Sequence, residues 1–285
     1  SNAVKFTPAG GTITLTQASG EGNVTVSVCD TGCGIDEETM RHIYDKFYQG
    51  DTSHSTEGNG LGLALVQRIL QLSDGTGLRI QAVVDDPKSG IVRVLGFTKE
   101  ERPVVRLGLI QALAKNGHDE QAIDMATQIG VDEVTPWQAD RSIARFKAGR
   151  TDRKWMQTLR AATEQSRRAF IPELHGMATS KQVLAMIRRD MVHGNLVIVL
   201  HQDANATWSD VERQVEELAA KCLDDGKERT VSVVVGPEGG ISDQEVEVFA
   251  EAGALVCVLG RNILRASAAG PVALGLLSRA IGRYC

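Results

Sequence analysis

Residues 231–242 read VSVVVGPEGGIS and carry the clearest local pattern in the chain. The valine-rich run predicts a buried strand, and a glycine-rich turn follows it at once. Ser242 and Glu245 have the spacing of a capping box, so we expect a helix to begin directly after the turn. Open α/β sheets bind ligands beyond the carboxyl ends of their strands, and Gly239 and Gly240 would let the backbone approach a flat ligand. From this segment alone, a strand-to-helix connection that binds no ligand is an equal alternative to a ligand-binding turn.

Two other strand ends carry similar features. Residues 255–259 form an apolar run, which is followed by RNILR at 261–265 and by the small residues ASAAG at 266–270. An earlier apolar run ends in LHQ at 200–202. If these three ends are neighbours in one parallel sheet, their loops would form a single pocket.

Strands and amphipathic helices alternate from residue 104 onward. Apolar runs predict strands at 105–113, 133–137, 196–201, 231–235 and 255–259. Helical spacing of apolar residues predicts helices at 118–129, 152–168, 180–188, 210–222, 243–252 and 268–283. This alternation indicates an α/β fold in which helices cover both faces of a mostly parallel sheet.

The first hundred residues have a different pattern. Residues 11–29 alternate apolar and polar side chains around a turn at 19–22, which predicts a β-hairpin. Similar alternation returns at 72–98, with turns at 74–75 and 86–90. We therefore expect a smaller N-terminal region of α+β or β structure.

The composition is that of a globular protein. The chain has 285 residues, of which 42% are hydrophobic and 24% charged, and this length is enough for two domains. It contains no run of about 18 apolar residues and no basic-then-apolar leader, so we expect no membrane span and a cytoplasmic location. None of the five cysteines belongs to a C-x-x-C pair, so we expect neither a disulfide framework nor a metal site.

Positive charge is concentrated in one segment although the net charge is −5. Residues 141–189 contain twelve lysines and arginines but only three acids. Such an excess can hold a phosphate backbone, and a solvated helix face with salt bridges is the alternative. The RNA-binding candidates are Arg141, Arg145, Arg160 and Arg167.

Four sequence boxes in the N-terminal region resemble the ATP-binding domain of sensor histidine kinases. They are KFTP at 5–8, DTGCGI at 30–35, YDKFYQ at 44–49 and GNGLGL at 58–63, and they occur in the order of that family. The resemblance covers residues 1 to about 74. It implies a nucleotide site in which Asn2 holds magnesium and Asp30 contacts the adenine. The backbone would approach the nucleotide at Gly32, Gly34, Gly60 and Gly62.

This kinase-like segment lacks three elements of the family pattern. The helix that precedes the first box is missing, and so are the closing strands after residue 72 and a phosphoacceptor-histidine helix. We therefore expect an incomplete nucleotide-binding module in which ATP binding is doubtful.

Four motifs further along the chain resemble the ribosomal RNA small-subunit uridine-N3 methyltransferases of the SPOUT superfamily. They are MATQIGVDEVTPWQADRS at 125–142, ATEQSRRAFIPEL at 162–174, GPEGGIS at 236–242 and LGRNILR at 259–265. The resemblance covers residues 78–284. It implies a trefoil-knotted parallel sheet, S-adenosylmethionine as cofactor, methylation of N3 of a uridine in 16S ribosomal RNA, and a homodimer.

Together the two resemblances predict a fusion, either an artificial or misassembled one or a natural one. Residues 1–74 would be the partial kinase-like module, 75–102 the remnant of a PUA-like β-barrel, and 103–285 the SPOUT methyltransferase domain.

The methyltransferase resemblance implies that backbone groups bind the cofactor. The candidate residues are Leu200, His201, Val235, Gly236, Gly239, Gly240, Leu259, Gly260, Ile263 and Leu264. The family often has a Thr-Glu-Thr-Ala-like sequence after the last arginine, where this chain has ASAA at 266–269. Side-chain contacts to the cofactor at that point are therefore in question.

Catalysis at N3 of uridine requires removal of a proton and stabilisation of the resulting anion. Arg265 is the first candidate for that stabilisation, and Arg168, supplied by a facing subunit, is the next, with salt bridging as its alternative role. Glu238 would orient the substrate or accept a proton, or it would only brace the turn. The apolar face of helix 268–283 would form the dimer contact or pack within its own chain.

Two other functions remain open from the sequence. The chain can be an ATP-binding signalling module with an incidental C-terminal domain, or an RNA-binding protein that keeps the methyltransferase fold without its activity.

Overall fold

The computed structural model describes residues 3, 7–20, 23–34, 70–86 and 91–284. Contacts divide the chain into two compact units, Ser1–Glu100 and Glu101–Cys285. The finer division at residues 74 and 102 stays a prediction. Asn2, Gly60, Gly62 and the box at 44–49 lie outside the described residues.

Unit 1 contains antiparallel strands. Strands β1 (Ile13–Gly20) and β2 (Asn23–Asp30) form the predicted hairpin, in which Gly20 lies opposite Asn23. Strands β3 (Leu70–Ser73), β4 (Leu78–Asp86) and β5 (Ile91–Lys99) form an antiparallel sheet. The strand-like alternation at 72–98 is therefore confirmed.

Unit 2 is built on an eight-stranded sheet in which every pairing is parallel. Its strands are β6 (Val105–Ala112), β7 (Glu133–Gln138), β8 (Glu173–Leu174), β9 (Ala178–Thr179), β10 (Leu196–Leu200), β11 (Ala206–Thr207), β12 (Arg229–Val235) and β13 (Leu255–Val258). Their order across the sheet is β11-β13-β10-β12-β6-β7-β8, and β9 also pairs with β7. All five predicted strands are present, and β8, β9 and β11 are two-residue additions.

The six predicted helices of unit 2 are also present. They are α1 (His118–Ile129), α2 (Thr151–Gln165), α3 (Ser180–His193), α4 (Trp208–Asp225), α5 (Asp243–Glu251) and α6 (Ala266–Ala280). A short 3₁₀ turn, Lys115–Gly117, precedes α1. Capping boxes begin α3, α4 and α5 at Thr179, Thr207 and Ser242. Of the described helices, none has the length and apolar character that a bilayer crossing requires.

The core has two parts because successive side chains of a strand point to opposite faces. Leu109 of β6 and Val233 of β12 belong to one hydrophobic cluster, which also contains residues of α1, α2, α4 and α6. Their neighbours Ile110 and Val234 belong to the other cluster, with residues of α3 and α5. Helices therefore cover both faces of the sheet, as the α/β pattern predicts. Cys257 is buried as expected, and burial raises the pKa of its thiol to about 11.

The structure decides between the two roles that the sequence left open for the apolar face of helix α6. Leu274 and Leu277 are fully buried and belong to the core of their own unit, so these two residues are not available to a partner. Val272 is 44% exposed. The apolar periodicity showed that one face of α6 is covered, but the covering structure is the sheet and helices of its own chain.

Candidate active site

A cleft of about 570 Å³ lies at the carboxyl ends of β10, β12 and β13. These strands are neighbours in the sheet, because β10 pairs with both β12 and β13. The loops that follow them, at 200–203, 235–241 and 258–266, supply most of the lining. The volume lies within the range of roughly 300–1,000 Å³ that is typical of small-molecule sites.

The turn at 236–241 brings backbone rather than side chains to the cleft. The Gly240 N–H donates a 2.9 Å hydrogen bond to the carbonyl oxygen of Pro237, and Gly240 has a φ of +74°. A Cβ atom at Gly236 would lie only 2.6 Å from Cγ1 of Ile241. Glycine is therefore required at 240 by the backbone conformation and at 236 by close packing.

Ser242 begins α5 as the sequence predicts. Its hydroxyl accepts a hydrogen bond from the N–H of Glu245, and its own N–H donates to Oε2 of Glu245 at 2.9 Å. This capping box fixes the point at which the turn enters the helix.

The loop before α6 exposes large apolar side chains at the cleft. Ile263 is 78% exposed and Leu264 is 38% exposed. The backbone carbonyl of Arg265 accepts hydrogen bonds from the N–H groups of Ala268 and Ala269, so α6 begins directly after it. Exposed apolar side chains beside backbone-lined glycine turns suit a ligand with a planar, apolar part.

The structure brings the ten cofactor-binding candidates together. All of them line the cleft, namely Leu200, His201, Val235, Gly236, Gly239, Gly240, Leu259, Gly260, Ile263 and Leu264. Their contacts with a cofactor stay a prediction.

Arg265 and Glu238, two of the three catalytic candidates, also line the cleft. Arg265 is exposed, and no described residue forms an ion pair or a side-chain hydrogen bond with it. Glu238 has a structural contact, because its Oε1 accepts a 2.8 Å hydrogen bond from the N–H of Lys115. Its other carboxylate oxygen has no described partner.

Arg168, the third candidate, lies at the amino ends of the strands, opposite the cleft. Its Nη1 donates to the carbonyl oxygens of Thr127 and Val131, and its Nη2 lies 3.5 Å from Oδ1 of Asp132, just before β7. Burial lowers the pKa of its guanidinium, and the charge of Asp132 opposes that effect. Arg168 therefore does not reach the cleft of its own chain, and a contribution from a facing subunit stays a prediction.

The RNA-binding candidates lie in different surroundings. Arg141 forms part of the cleft wall, where its Nη1 donates to the carbonyl oxygen of Ile241 at 3.2 Å and approaches that of Gly239 at 3.5 Å. Arg145, Arg160 and Arg167 are exposed and do not line the cleft.

The described nucleotide-site candidates of unit 1 form a local turn. Asp30 ends β2, and its Oδ1 accepts a 2.9 Å hydrogen bond from the N–H of Gly32. Gly34 has a φ of +72°. The adenine and phosphate roles implied by the kinase resemblance stay predictions.

A cluster of ionisable side chains at β7 and β8 was missed from the sequence. One ligand atom each from Glu133, Glu173 and His175 lies within 4.8 Å of the others. Nη2 of Arg106 is 3.1 Å from Glu133 and 3.4 Å from Glu173, so one guanidinium already pairs with both acids. The cluster depends on the pairing of Glu133 with Glu173 across two parallel strands, and no local signal reveals that pairing.

The charges in this cluster support one another. Burial would raise the pKa of Glu133. The ion pair with His175, whose Nε2 lies 3.7 Å from Oε2 of Glu133, and the charge of Arg106 outweigh burial and leave that pKa lowered. The same ion pair raises the pKa of His175, against the opposing effect of burial. The cluster is therefore best described as an ion-pair network.

Comparison with known proteins agrees with this fold and cleft. A methyltransferase from Legionella pneumophila, solved in complex with the bound cofactor SAM, is 26% identical with a TM-score of 0.59 and covers 74% of this chain and 83% of its own. The fold of unit 2 is that of the SPOUT methyltransferases, although the trefoil knot stays a prediction.

Sequence comparison identifies the family. A family model described as an RNA methyltransferase domain matches residues 100–278. The ribosomal RNA small subunit methyltransferase E of Mycobacterium tuberculosis is 35% identical over 235 residues, which are 79% of this chain and 85% of that protein. The chain belongs to the RNA methyltransferase family.

The kinase resemblance is confirmed as well. A family model described as a histidine kinase-, DNA gyrase B- and HSP90-like ATPase matches residues 1–98. The sensor-like histidine kinase SenX3 of Mycobacterium tuberculosis is 35% identical over 78 residues, which are 27% of this chain but only 19% of the kinase. This match extends beyond residue 74, into the segment predicted as a barrel remnant, and it includes β4 and most of β5. Strands therefore do follow residue 72 within the matched segment, and the prediction that they are missing was wrong.

Proposed function

We propose that this protein methylates N3 of a uridine in 16S ribosomal RNA in the cytoplasm, with S-adenosylmethionine as the methyl donor. The proposal rests on one observation. Loops 236–240 and 260–265 line the same cleft, beside the exposed Arg265. Membership of the RNA methyltransferase family and the name of the 35% identical relatives support it.

The residues of the cleft fit the cofactor. Its volume accommodates a ligand of that size. The backbone at Gly236 and Gly240 carries no side chain that would keep a ligand away. Leu264 and Ile263 offer apolar surface to the adenine ring. When bound, S-adenosylmethionine supplies a methyl group activated by a sulfonium.

Arg265 is proposed to stabilise the transition state. N3 of uridine becomes nucleophilic only when its proton leaves, and negative charge then develops on the uracil oxygens. A guanidinium without an internal partner can stabilise that charge, since its donors are not already engaged. We assign this role to Arg265 alone, because Arg168 directs its donors to Thr127, Val131 and Asp132.

Glu238 is proposed to orient the uracil. One of its oxygens is engaged with the N–H of Lys115, which fixes the carboxylate at the cleft. The second oxygen can accept a hydrogen bond from the N3–H and then take up that proton as it leaves.

The RNA is proposed to contact the basic segment 141–189. Arg145, Arg160 and Arg167 expose their side chains and can contact phosphates. The target base must be unstacked or lie in a loop, since N3 is occupied in a Watson–Crick pair.

A homodimer is part of the proposal. Ile143, Ile263 and Val272 are large apolar residues that are 64%, 78% and 44% exposed. Burial of such side chains against a second chain would remove them from water. Light scattering on the purified protein would give a monomer mass if this part of the proposal is wrong.

The experiment that tests the activity uses purified protein, labelled S-adenosylmethionine and unmodified 16S ribosomal RNA. Nucleosides of the product are separated and identified by mass spectrometry. N3-methyluridine is the expected product, and Arg265→Ala should form it at least about 100-fold more slowly. Cofactor binding without methylation would instead support a non-catalytic RNA-binding protein.

Nucleotide binding by residues 1–98 is a second candidate function, favoured by the ATPase family match. Calorimetry with a non-hydrolysable ATP analogue tests it on the same sample. No heat of binding at millimolar analogue would exclude it.

A further inference from the structure

Glu245 is a carboxylate that lies 2% exposed at the start of α5. Its Oε2 accepts hydrogen bonds from the N–H and the hydroxyl of Ser242, both at 2.9 Å. Its Oε1 accepts from the N–H of Asp140 at 2.9 Å and from the hydroxyl of Ser180. A helix cap accounts for the first pair of bonds only. The second pair joins α5 to two segments that are distant in sequence.

The segment held at Asp140 leads directly to the cleft. The next residue, Arg141, sends its guanidinium to the carbonyl oxygens of Gly239 and Ile241. Its Nη2 also lies 3.7 Å from Oδ1 of Asp243. The turn at 236–241 is therefore contacted by Arg141 on one side and is continuous with the Glu245 cap on the other.

Ser180 is itself held in place. The indole N–H of the fully buried Trp137 donates to its hydroxyl at 3.2 Å, and that hydroxyl donates to Glu245. A chain of hydrogen bonds thus runs from the end of β7 through the start of α3 to α5.

The glycines of the turn explain why such external contacts matter. Gly236, Gly239 and Gly240 allow the backbone to approach a ligand, but they provide no side chains that restrain the turn. Packing of the buried Ile241 holds one end of the turn, and hydrogen bonds from neighbouring segments are needed to position the rest. Bonds to a buried carboxylate are charge-assisted and stronger than neutral ones, and a carboxylate is also favoured at a helix N-terminus.

We infer that Glu245 is a positioning residue for the cofactor cleft: through Asp140 and Ser180 it fixes the segment from which Arg141 holds the 236–241 turn. The inference rests on the proposed function, in that this cleft binds S-adenosylmethionine. Glu245 does not touch the ligand and acts only through the turn.

The test compares Glu245→Gln with Glu247→Gln. An amide has only one acceptor oxygen, so Glu245→Gln cannot serve both pairs of donors. Glu247 is exposed on the same helix, so its substitution makes the same change of charge without touching the network. Calorimetry should show a dissociation constant for S-adenosylmethionine raised roughly tenfold by Glu245→Gln and unchanged by Glu247→Gln.

Kinetics separate positioning from general damage. A displaced cofactor turn weakens binding in the ground state and the transition state alike, so KM for S-adenosylmethionine should rise while kcat on folded protein is retained. Ser180→Ala leaves the Ser242 cap intact and should raise the same KM to a smaller extent. The effects of Arg141→Ala and Glu245→Gln should be less than additive, because both act on one turn.

Three outcomes overturn the inference. The first is that Glu245→Gln lowers the melting temperature but leaves the dissociation constant unchanged, which would make Glu245 a helix cap only. The second applies if Glu245→Gln does not fold: unchanged cofactor binding by both Ser180→Ala and Arg141→Ala would then overturn the inference. If the wild-type protein itself does not bind S-adenosylmethionine, the proposed function fails and the inference fails with it.

Discussion

The carboxylate of Glu238 accepts a 2.8 Å hydrogen bond from the backbone N–H of Lys115, a residue 123 positions earlier in the chain. Lys115 opens the 3₁₀ turn between β6 and α1, and Glu238 lies in the turn after β12, the neighbour of β6 in the sheet. The bond joins the loops that follow two adjacent strands. It also leaves one oxygen of Glu238 available to a substrate.

Glu238→Gln should separate these two uses of the side chain. The amide oxygen can still accept from Lys115, so we expect the dissociation constant for S-adenosylmethionine to stay within about twofold of wild type. The substrate-facing group becomes an amide that cannot take up a proton, and kcat should fall about 10- to 100-fold. Single-turnover methylation measures this loss. Full activity would leave only the brace to Lys115 as the function of Glu238.

Arg265→Ala should reduce turnover without preventing cofactor binding. The guanidinium is exposed in the cleft and has no partner among the described residues, so its removal breaks no internal contact. The loss of a group that stabilises transition-state charge costs about 100- to 1,000-fold in kcat. Arg265→Lys keeps the charge but not the forked geometry and should recover part of the rate. A matching rise in the cofactor dissociation constant would show instead that Arg265 binds the cofactor.

Gly236→Ala tests whether the backbone of the turn forms the binding surface. The new Cβ would lie 2.6 Å from Cγ1 of Ile241, so the turn has to shift. We expect a loss of about 1–3 kcal/mol in the free energy of unfolding, and weaker S-adenosylmethionine binding by calorimetry.

Gly275→Ala is the matched control for that substitution. Gly275 lies within α6, and a Cβ there would meet nothing within 4 Å. Alanine is the better helix former, so stability should rise by about 0.4–1 kcal/mol with binding unchanged. Equal binding by both variants would show that the turn does not touch the cofactor.

The sequence predicted the elements of unit 2 and the cleft because both depend on local patterns. The valine run at 231–235 and the Ser242–Glu245 spacing each lie within one short segment, and β12 and α5 begin within two residues of the expected positions. Glycine turns at the ends of parallel strands also collect at one edge of a sheet, whichever strands are neighbours.

What the sequence did not predict depends on contacts between distant segments. Periodicity showed an apolar face on α6, but not that Leu274 and Leu277 pack within their own unit. The local excess of positive charge included Arg168, but not the end of the strands at which it pairs with Asp132. The second pair of bonds at Glu245 likewise requires Asp140 and Ser180 to be neighbours in space.

The ion-pair cluster at Glu133 and His175 predicts how stability depends on pH. The ion pair with Glu133, whose Oε2 lies 3.7 Å from Nε2 of His175, raises the pKa of the imidazole above its usual 6.5. The contribution of His175 to stability is therefore fully present below about pH 6.5, and it is lost as the pH rises through the higher pKa of the folded state. Chemical unfolding followed between about pH 5.5 and pH 8.5 should give a free energy of unfolding that falls over this interval.

His175→Gln should remove that part of the pH dependence, because glutamine can donate to Glu133 but does not titrate. Its unfolding free energy should lie below that of wild type at about pH 6 and approach it at about pH 8.5, since neutral His175 no longer pairs with Glu133 as a cation. His193→Gln removes an exposed histidine of α3 and should leave the wild-type profile unchanged. A His175→Gln profile parallel to that of wild type would contradict the assigned ion pair. If His193→Gln loses the pH dependence of the unfolding free energy, that dependence comes from α3 and not from His175.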